Sequence, residues 1–177
     1  MLWKKITMKD KFINAFMDCA ERFAQLSSAT RAKVGAIIVK DNRIISIGYN
    51  GMPSGWDNEC ETEERWNDVP HMRGEYEKMG AKFYDVPQGA YWSLKKSKPE
   101  VLHAETNAIA KVAQSSESCK DAELVCTHLP CIQCAKLIHQ SGIKHVYFRE
   151  SYNAAVGSGM DFLERSGIGL TKVENNV

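Results

Sequence analysis

Net charge of either sign is nearly absent, since 23 Lys+Arg stand against 22 Asp+Glu and leave a formal charge of +1. A protein that grips a long polyanion through many phosphate contacts carries a basic excess, so a polynucleotide binder is disfavoured and a small charged ligand stays open. Long apolar runs are missing too, and none approaches the ~20 residues that span a bilayer. The start, Met1-Leu2-Trp3-Lys4-Lys5-Ile6-Thr7, has neither the apolar stretch nor the small-residue cleavage site of a secretory signal. The expectation is a cytoplasmic protein with no membrane partner, in a reducing compartment. There the six cysteines, at 19, 60, 119, 126, 131 and 134, point to metal or catalysis before disulfides. Cross-links are not needed for stability either. A domain above ~150 residues buries about two thirds of its chain surface, and this chain has 177 residues.

What is present is regular pattern at both ends of the chain and irregular composition between them. From Met8 to Leu26, apolar Phe12, Ile13, Phe16, Met17, Ala20, Phe23 and Ala24 recur at three- and four-residue steps, which predicts an amphipathic helix. Thr7 with Asp10 resembles a capping box at its start. Val34–Val39 and Arg43–Ile47 are β-branched runs separated by Lys40-Asp41-Asn42, the makings of an antiparallel hairpin. The small Gly35-Ala36 pair suggests that something packs closely on the first strand.

Residues 51–100 hold seven of the 16 aromatics, many charges and no sustained apolar period, and read as a long insertion or lid, partly helical around 61–80. After Pro99 the pattern returns. It predicts helices over His103–Val112, Cys131–Gln140 and Ala154–Arg165, and strands over Glu123–Thr127, Lys144–Phe148 and Ile168–Val173. Strand, helix and strand over 122–148 make a crossover unit with parallel strands. The expected fold is α/β: a three-layer α/β/α sandwich around a mixed five-stranded sheet, residues 1–177 forming one domain with the insertion at about 51–100.

Two short motifs carry the chemistry: His103-Ala104-Glu105 and Pro130-Cys131-Ile132-Gln133-Cys134, with Cys131 28 residues after His103. Cys131 and Cys134, three apart at a helix start, project from one face and can reach one ion. Pro130 suits that position because its missing amide has no intrahelical partner there. The helix N-terminus favours thiolate over thiol. One His and two Cys are the ligand set of zinc with a fourth position open to water, whose pKa zinc can lower from ~16 to about 7. Glu105 is then the natural proton carrier. The competing reading of the cysteine pair is a closed structural zinc with His128, Cys126 or His139 as fourth ligand, but such a site has no use for an unligated carboxylate. His71 and His145 read as surface residues, His139 as a helix flank, and Cys19 and Cys126 as core cysteines.

His-x-Glu followed by Pro-Cys-x-x-Cys is the signature of zinc-dependent nucleobase deaminases. The chain resembles the cytidine/deoxycytidylate deaminase superfamily over nearly its whole length. Gly48-Tyr49-Asn50-Gly51-Met52-Pro53 and His103-Ala104-Glu105-Thr106-Asn107-Ala108-Ile109 are similar to the deoxycytidylate (dCMP) deaminase branch. The resemblance implies a cytidine deaminase-like fold and hydrolysis of dCMP to dUMP and ammonia, supplying dUMP for thymidylate synthesis. It implies one catalytic Zn2+ on His103, Cys131 and Cys134, with Glu105 as base and then acid.

The backbone amide of Ala104 would bind the base O2, and carbonyls from Thr127 to Pro130 would orient the amine. Asn50 would meet the sugar 3′-hydroxyl, and Ser28, Arg31, Lys33 and Tyr152 are candidates for the phosphate. Gly48, Tyr49 and Gly51 would line an effector site. The resembling enzymes are commonly homo-oligomers, hexamers activated by dCTP and inhibited by dTTP, with Mg2+ accompanying the triphosphate effector. Some phage members carry a further structural zinc near the insertion; this chain offers only Cys60 and His71 there, with Ser93 and Leu94 where a ligand would be sought. A polynucleotide deaminase and a non-catalytic zinc scaffold are the alternative functions.

Overall fold

The computed structural model describes residues 8–151 and 157–174, which fall into two compact units. Residues up to Ser27, Lys33–Gly51 and Leu102 onward make the first, and Ser28–Ala32 with Met52–Val101 make the second.

The first unit is built on strands β1 (Gly35–Lys40) and β2 (Arg43–Tyr49), which form an antiparallel hairpin. Asp41 and Asn42 both take positive φ, 50° and 58°, the two-residue turn whose twist matches that of its strands. β6 (Glu123–His128) pairs antiparallel with β1, while β7 (His145–Glu150) pairs parallel with β6, and β8 (Gly169–Lys172) parallel with β7. The order is β2-β1-β6-β7-β8, the expected mixed five-stranded sheet.

Its two faces are set by alternation. Ile37, Val39, Val125 and Tyr147 meet Ile13, Met17 and Ala20 of helix α1 (Asp10–Ala24). Ala36, Ile38, Leu124, Cys126, Val146 and Phe148 face the other way, toward α3 (Ala104–Val112), α4 (Ile132–Gln140) and α5 (Met160–Arg165). Because side chains alternate across a strand, contiguous buried runs such as Ile37-Ile38-Val39 must serve two layers at once, each side chain contributing about 1.5–3 kcal/mol. Gly35 lets α1 approach, since a Cβ there would lie 1.9 Å from the Ala20 carbonyl oxygen.

Three local expectations need correction. α1 begins at Asp10 with Lys9 at its N-cap and no side-chain cap, so Asp10 lies in the first turn and is no capping-box partner; Thr7 is outside the described residues. The last helix starts at Met160, after Gly159, and 154–156 are outside the described residues. His145 is buried, stacked on Tyr147 at 4.3 Å with Nε2 at 2.9 Å from the Thr171 hydroxyl. It sits inward because it occupies the first position of β7, between β6 and β8.

The second unit corrects the helical reading of 61–80. Glu61–Asn67 is a strand, β3, in a three-stranded antiparallel sheet ordered β3-β5-β4, with β4 at Lys82–Tyr84 and β5 at Tyr91–Ser97. Only Pro70–Met72, a 3₁₀ turn, and α2 (Arg73–Lys78) are helical. β3 is mostly exposed and so lacks apolar alternation; its pairing shows instead in opposite charges, with Glu63 opposite Lys95 and Glu64 bonded to Lys96. Trp92 is the buried centre, with Phe83 and Tyr76 rings against it and its indole N–H donating to Asp68, which Arg73 also holds.

All six cysteines are free thiols, five of them buried and Cys19 half-buried. No helix among the described residues is long and apolar enough to cross a membrane.

Candidate active site

The two motifs converge in the first unit. His103 is the N-cap residue of α3 and Cys131 that of α4, so both motifs open helices and both helices start toward the same point. Cys134 Sγ lies 3.3 Å from His103 Nδ1, Cys131 Sγ lies 3.6 Å from it, and the sulfurs are 3.7 Å apart. Zinc bonds of about 2.3 Å to sulfur and 2.0–2.1 Å to nitrogen at tetrahedral angles imply edges of about 3.8 and 3.5 Å. The three atoms fit zinc without rearrangement, and this is the metal-capable group of three found among the described residues.

The protons show the same predisposition. The hydrogen bond between the two sulfurs, with His103, brings Cys131 down to about 4, while the same bond and burial push Cys134 up. The hydrogen bond to Cys131 raises His103. Cys131 is thus the readier of the two sulfurs to lose its proton, and metal uptake displaces the protons that the pair still carries.

Glu105, in the first turn of α3, is 4 % exposed although it is a carboxylate. Burial raises its pKa, opposed by its backbone N–H and by the nearby His103. A buried carboxyl beside three soft ligands, but outside them, has the character of a proton carrier.

Neighbouring groups hold these helices in place. Gly51 and Leu102 exchange backbone hydrogen bonds of 3.1 and 2.9 Å, which fixes the residue before His103. The Asn107 amide donates to the Tyr49 carbonyl at 3.0 Å, and the Ser46 hydroxyl to the Ala108 carbonyl at 2.7 Å. A Cβ on Gly48 would lie 2.0 Å from the Ala104 carbonyl oxygen, so this glycine seats the first turn of α3. Asn107 lies within the His103–Ile109 motif, which by itself gives it no role, and Ser46 does not stand out in the sequence; a polar residue alternating into an otherwise apolar strand face is the available signal for Ser46.

The other sequence candidates are distributed as follows. Asn50 Oδ1 accepts the Val34 N–H at 2.8 Å, next to the Gly51–Leu102 bridge. The Thr127 hydroxyl accepts the Gly35 N–H at 3.1 Å and meets His128 Nδ1 at 2.9 Å. Ala104 is fully buried, and the Pro130 carbonyl accepts the Gly159 N–H at 3.0 Å. Ser28 and Arg31 belong to the second unit, where Ser28 lies 3.5 Å from Cys60 Sγ and Arg31 bonds Glu61 and Ser97. Lys33 is in the first unit and exposed, and Tyr152 lies outside the described residues. Cys126 Sγ points to the His128 carbonyl at 3.0 Å, and His139 edges onto Phe162.

A mixed sheet between helix layers, with His-x-Glu and Cys-x-x-Cys at two helix starts, defines a metal-dependent hydrolase of the deaminase class. Residues 10–150 match the cytidine and deoxycytidylate deaminase zinc-binding region, and the chain belongs to that family. The deoxycytidylate deaminase of Enterobacteria phage T4 is 35% identical over 161 residues, covering 85% of this chain and 83% of that one. The deoxycytidylate deaminase of Homo sapiens is 36% identical over 134 residues, 75% of this chain and 61% of that one. Among solved structures, the dCMP deaminase of cyanophage S-TIM5 in complex with dCMP and dUMP is 38% identical, with a TM-score of 0.71 over 94% of this chain and 99% of that chain.

Proposed function

We propose that the protein hydrolyses dCMP to dUMP and ammonia, with zinc held by His103, Cys131 and Cys134 and proton transfer by Glu105. The observation that carries this reading is a three-ligand group at zinc-edge distances with a buried carboxylate beside it. Its support is a chain that aligns over nearly the full length of a dCMP- and dUMP-bound relative.

Zinc, when bound, supplies the Lewis acidity that makes a water nucleophilic at neutral pH. Glu105 takes the proton of the water that adds at C4, delivers it to ring N3, then assists departure of the amine as ammonia. One carboxyl serves as base and acid in turn, a role worth about 10²–10⁴ in rate. The Ala104 amide holds O2, and carbonyls from Thr127 to Pro130 orient the amine. Asn50 holds the sugar hydroxyl. Ser28, Arg31, Lys33 and Tyr152, chosen from their loop positions in the sequence, are assigned to the phosphate.

The proposal extends to assembly and control: one deaminase domain carrying an insertion at about 51–100, a hexamer, activated by dCTP with Mg2+ and inhibited by dTTP through a site that includes Gly48, Tyr49 and Gly51. In the cell the product would serve thymidylate synthesis in the cytoplasm.

The decisive assay is loss of cytosine absorbance with zinc-loaded protein and dCMP, with and without dCTP. Turnover of dCMP far above deoxycytidine and above tRNA or single-stranded DNA supports the reading; no dUMP from zinc-loaded protein overturns it. Glu105→Gln is expected to keep fold and zinc content while turnover falls at least 100-fold. A monomer by light scattering overturns the hexamer.

A further inference from the structure

The first turn of α4 is not held by α4 alone. Residues 157–159 run antiparallel to 130–132: the Ile132 N–H donates to the Gly157 carbonyl at 3.1 Å, and the Gly159 N–H to the Pro130 carbonyl at 3.0 Å, with Cys131 bridged to Ser158 between them. The Ile132 amide is among the first of its helix and has no intrahelical acceptor, so this short strand satisfies it. Cys131 is the N-cap residue of α4, with the extended φ and ψ usual at that position, −71° and 168°, and the pairing flanks it on both sides.

Gly159 is where the segment comes closest. It is buried, and a Cβ there would lie 2.7 Å from the Pro130 carbonyl oxygen, 2.9 Å from the Cys131 carbonyl oxygen and 2.7 Å from Ala135 Cβ. Two of these are backbone atoms flanking the ligand, and the third is one turn further along α4, so no flexible side chain can give way. The φ of Gly159 is −86°, within the range of any residue. The requirement for glycine is therefore steric and is directed at Cys131.

We propose that residues 157–159 form a strap that presets the position of Cys131 for the metal, with Gly159 as its positioning residue. The strap is expected to stand before metal arrives, since the hydrogen bonds that hold it run from backbone to backbone. This rests on the zinc reading of the site above.

The test is cobalt titration of the metal-free full chain, read by the sulfur-to-cobalt charge-transfer band, for wild type, Gly159→Ala, and Gly74→Ala as control, whose Cβ would enter open space. Gly159→Ala is expected to keep its far-ultraviolet circular dichroism and to bind cobalt about 10- to 100-fold more weakly with an altered band, as for losses of support around metal ligands. Gly74→Ala is expected to match wild type. If wild type binds cobalt and Gly159→Ala matches it, the strap inference falls alone; if wild type takes up no cobalt, the zinc reading falls and this inference with it.

Hydrogen exchange of the wild-type chain gives an independent check should Gly159→Ala not fold. The Ile132 and Gly159 amides are expected to be protected in both metal-free and zinc-loaded protein. Loss of that protection on metal removal, with β6 and β7 still protected, would show that the ion holds the strap and overturn the proposal.

Discussion

Thr127 illustrates how one side chain divides between structure and chemistry. Its hydroxyl satisfies the buried Gly35 N–H at the start of β1, so whatever its carbonyl does for a substrate, its side chain is a tie between strands. Thr127→Val keeps the shape and leaves that amide unpaired, which is expected to lower stability by about 1–3 kcal/mol in urea denaturation. Asp68 makes the corresponding case in the second unit. Arg73 and the Trp92 indole hold its carboxyl below the ordinary aspartate range. A depressed folded-state pKa means stability present above the unfolded value and lost as pH falls through the folded one. Acid melts followed by tryptophan fluorescence are expected to show destabilisation below the ordinary aspartate pKa, and Asp68→Asn to remove that part of the pH dependence.

At the scale of elements, α3 and α4 divide the site between them, α3 bringing the nitrogen ligand and the proton carrier and α4 the sulfurs. Each is gauged by a glycine on a neighbouring segment. Gly48→Ala would drive a methyl into the Ala104 carbonyl, and is expected to cost about 1–3 kcal/mol by overpacking while displacing Glu105. Turnover is expected to drop more than zinc content, measured side by side. These elements are legible in the chain because their signals are local: a period of 3.6 in α1, β-branched runs in β1 and β2, and ligand types at fixed spacing. β3 is not, because Glu61-Thr62-Glu63-Glu64-Arg65 favours a helix by composition and becomes a strand only through β5, some 30 residues on. His145 escapes a sequence reading for a related reason: what buries it is its place in the sheet, which its neighbours in sequence do not show. Candidates on loops, such as Arg31, carry no spacing rule, and its bonds to Glu61 and Ser97 could not be read from the chain.

For the whole molecule, the near-neutral charge fits a ligand with a single phosphate, and affinity for polynucleotides is expected to be weak at physiological salt. Metal binding at His103, Cys131 and Cys134 is also expected to add to stability. A ligand present at 1,000 times its Kd adds about 4 kcal/mol to the folded state, equivalent to roughly 8–16 °C in Tm for a chain of this size. Dialysis against a chelator is expected to lower the melting temperature by about that amount, and zinc to restore it.

Five of the six thiols are buried and none is cross-linked. They lie in both units, from Cys60 in the second to Cys119 and Cys126 in the core of the first. A buried thiol meets an alkylating reagent only when its surroundings open, so each modified cysteine records one excursion of one region. Digestion and mass spectrometry after timed exposure to such a reagent would read the opening rate at each address separately, with no label added to the chain.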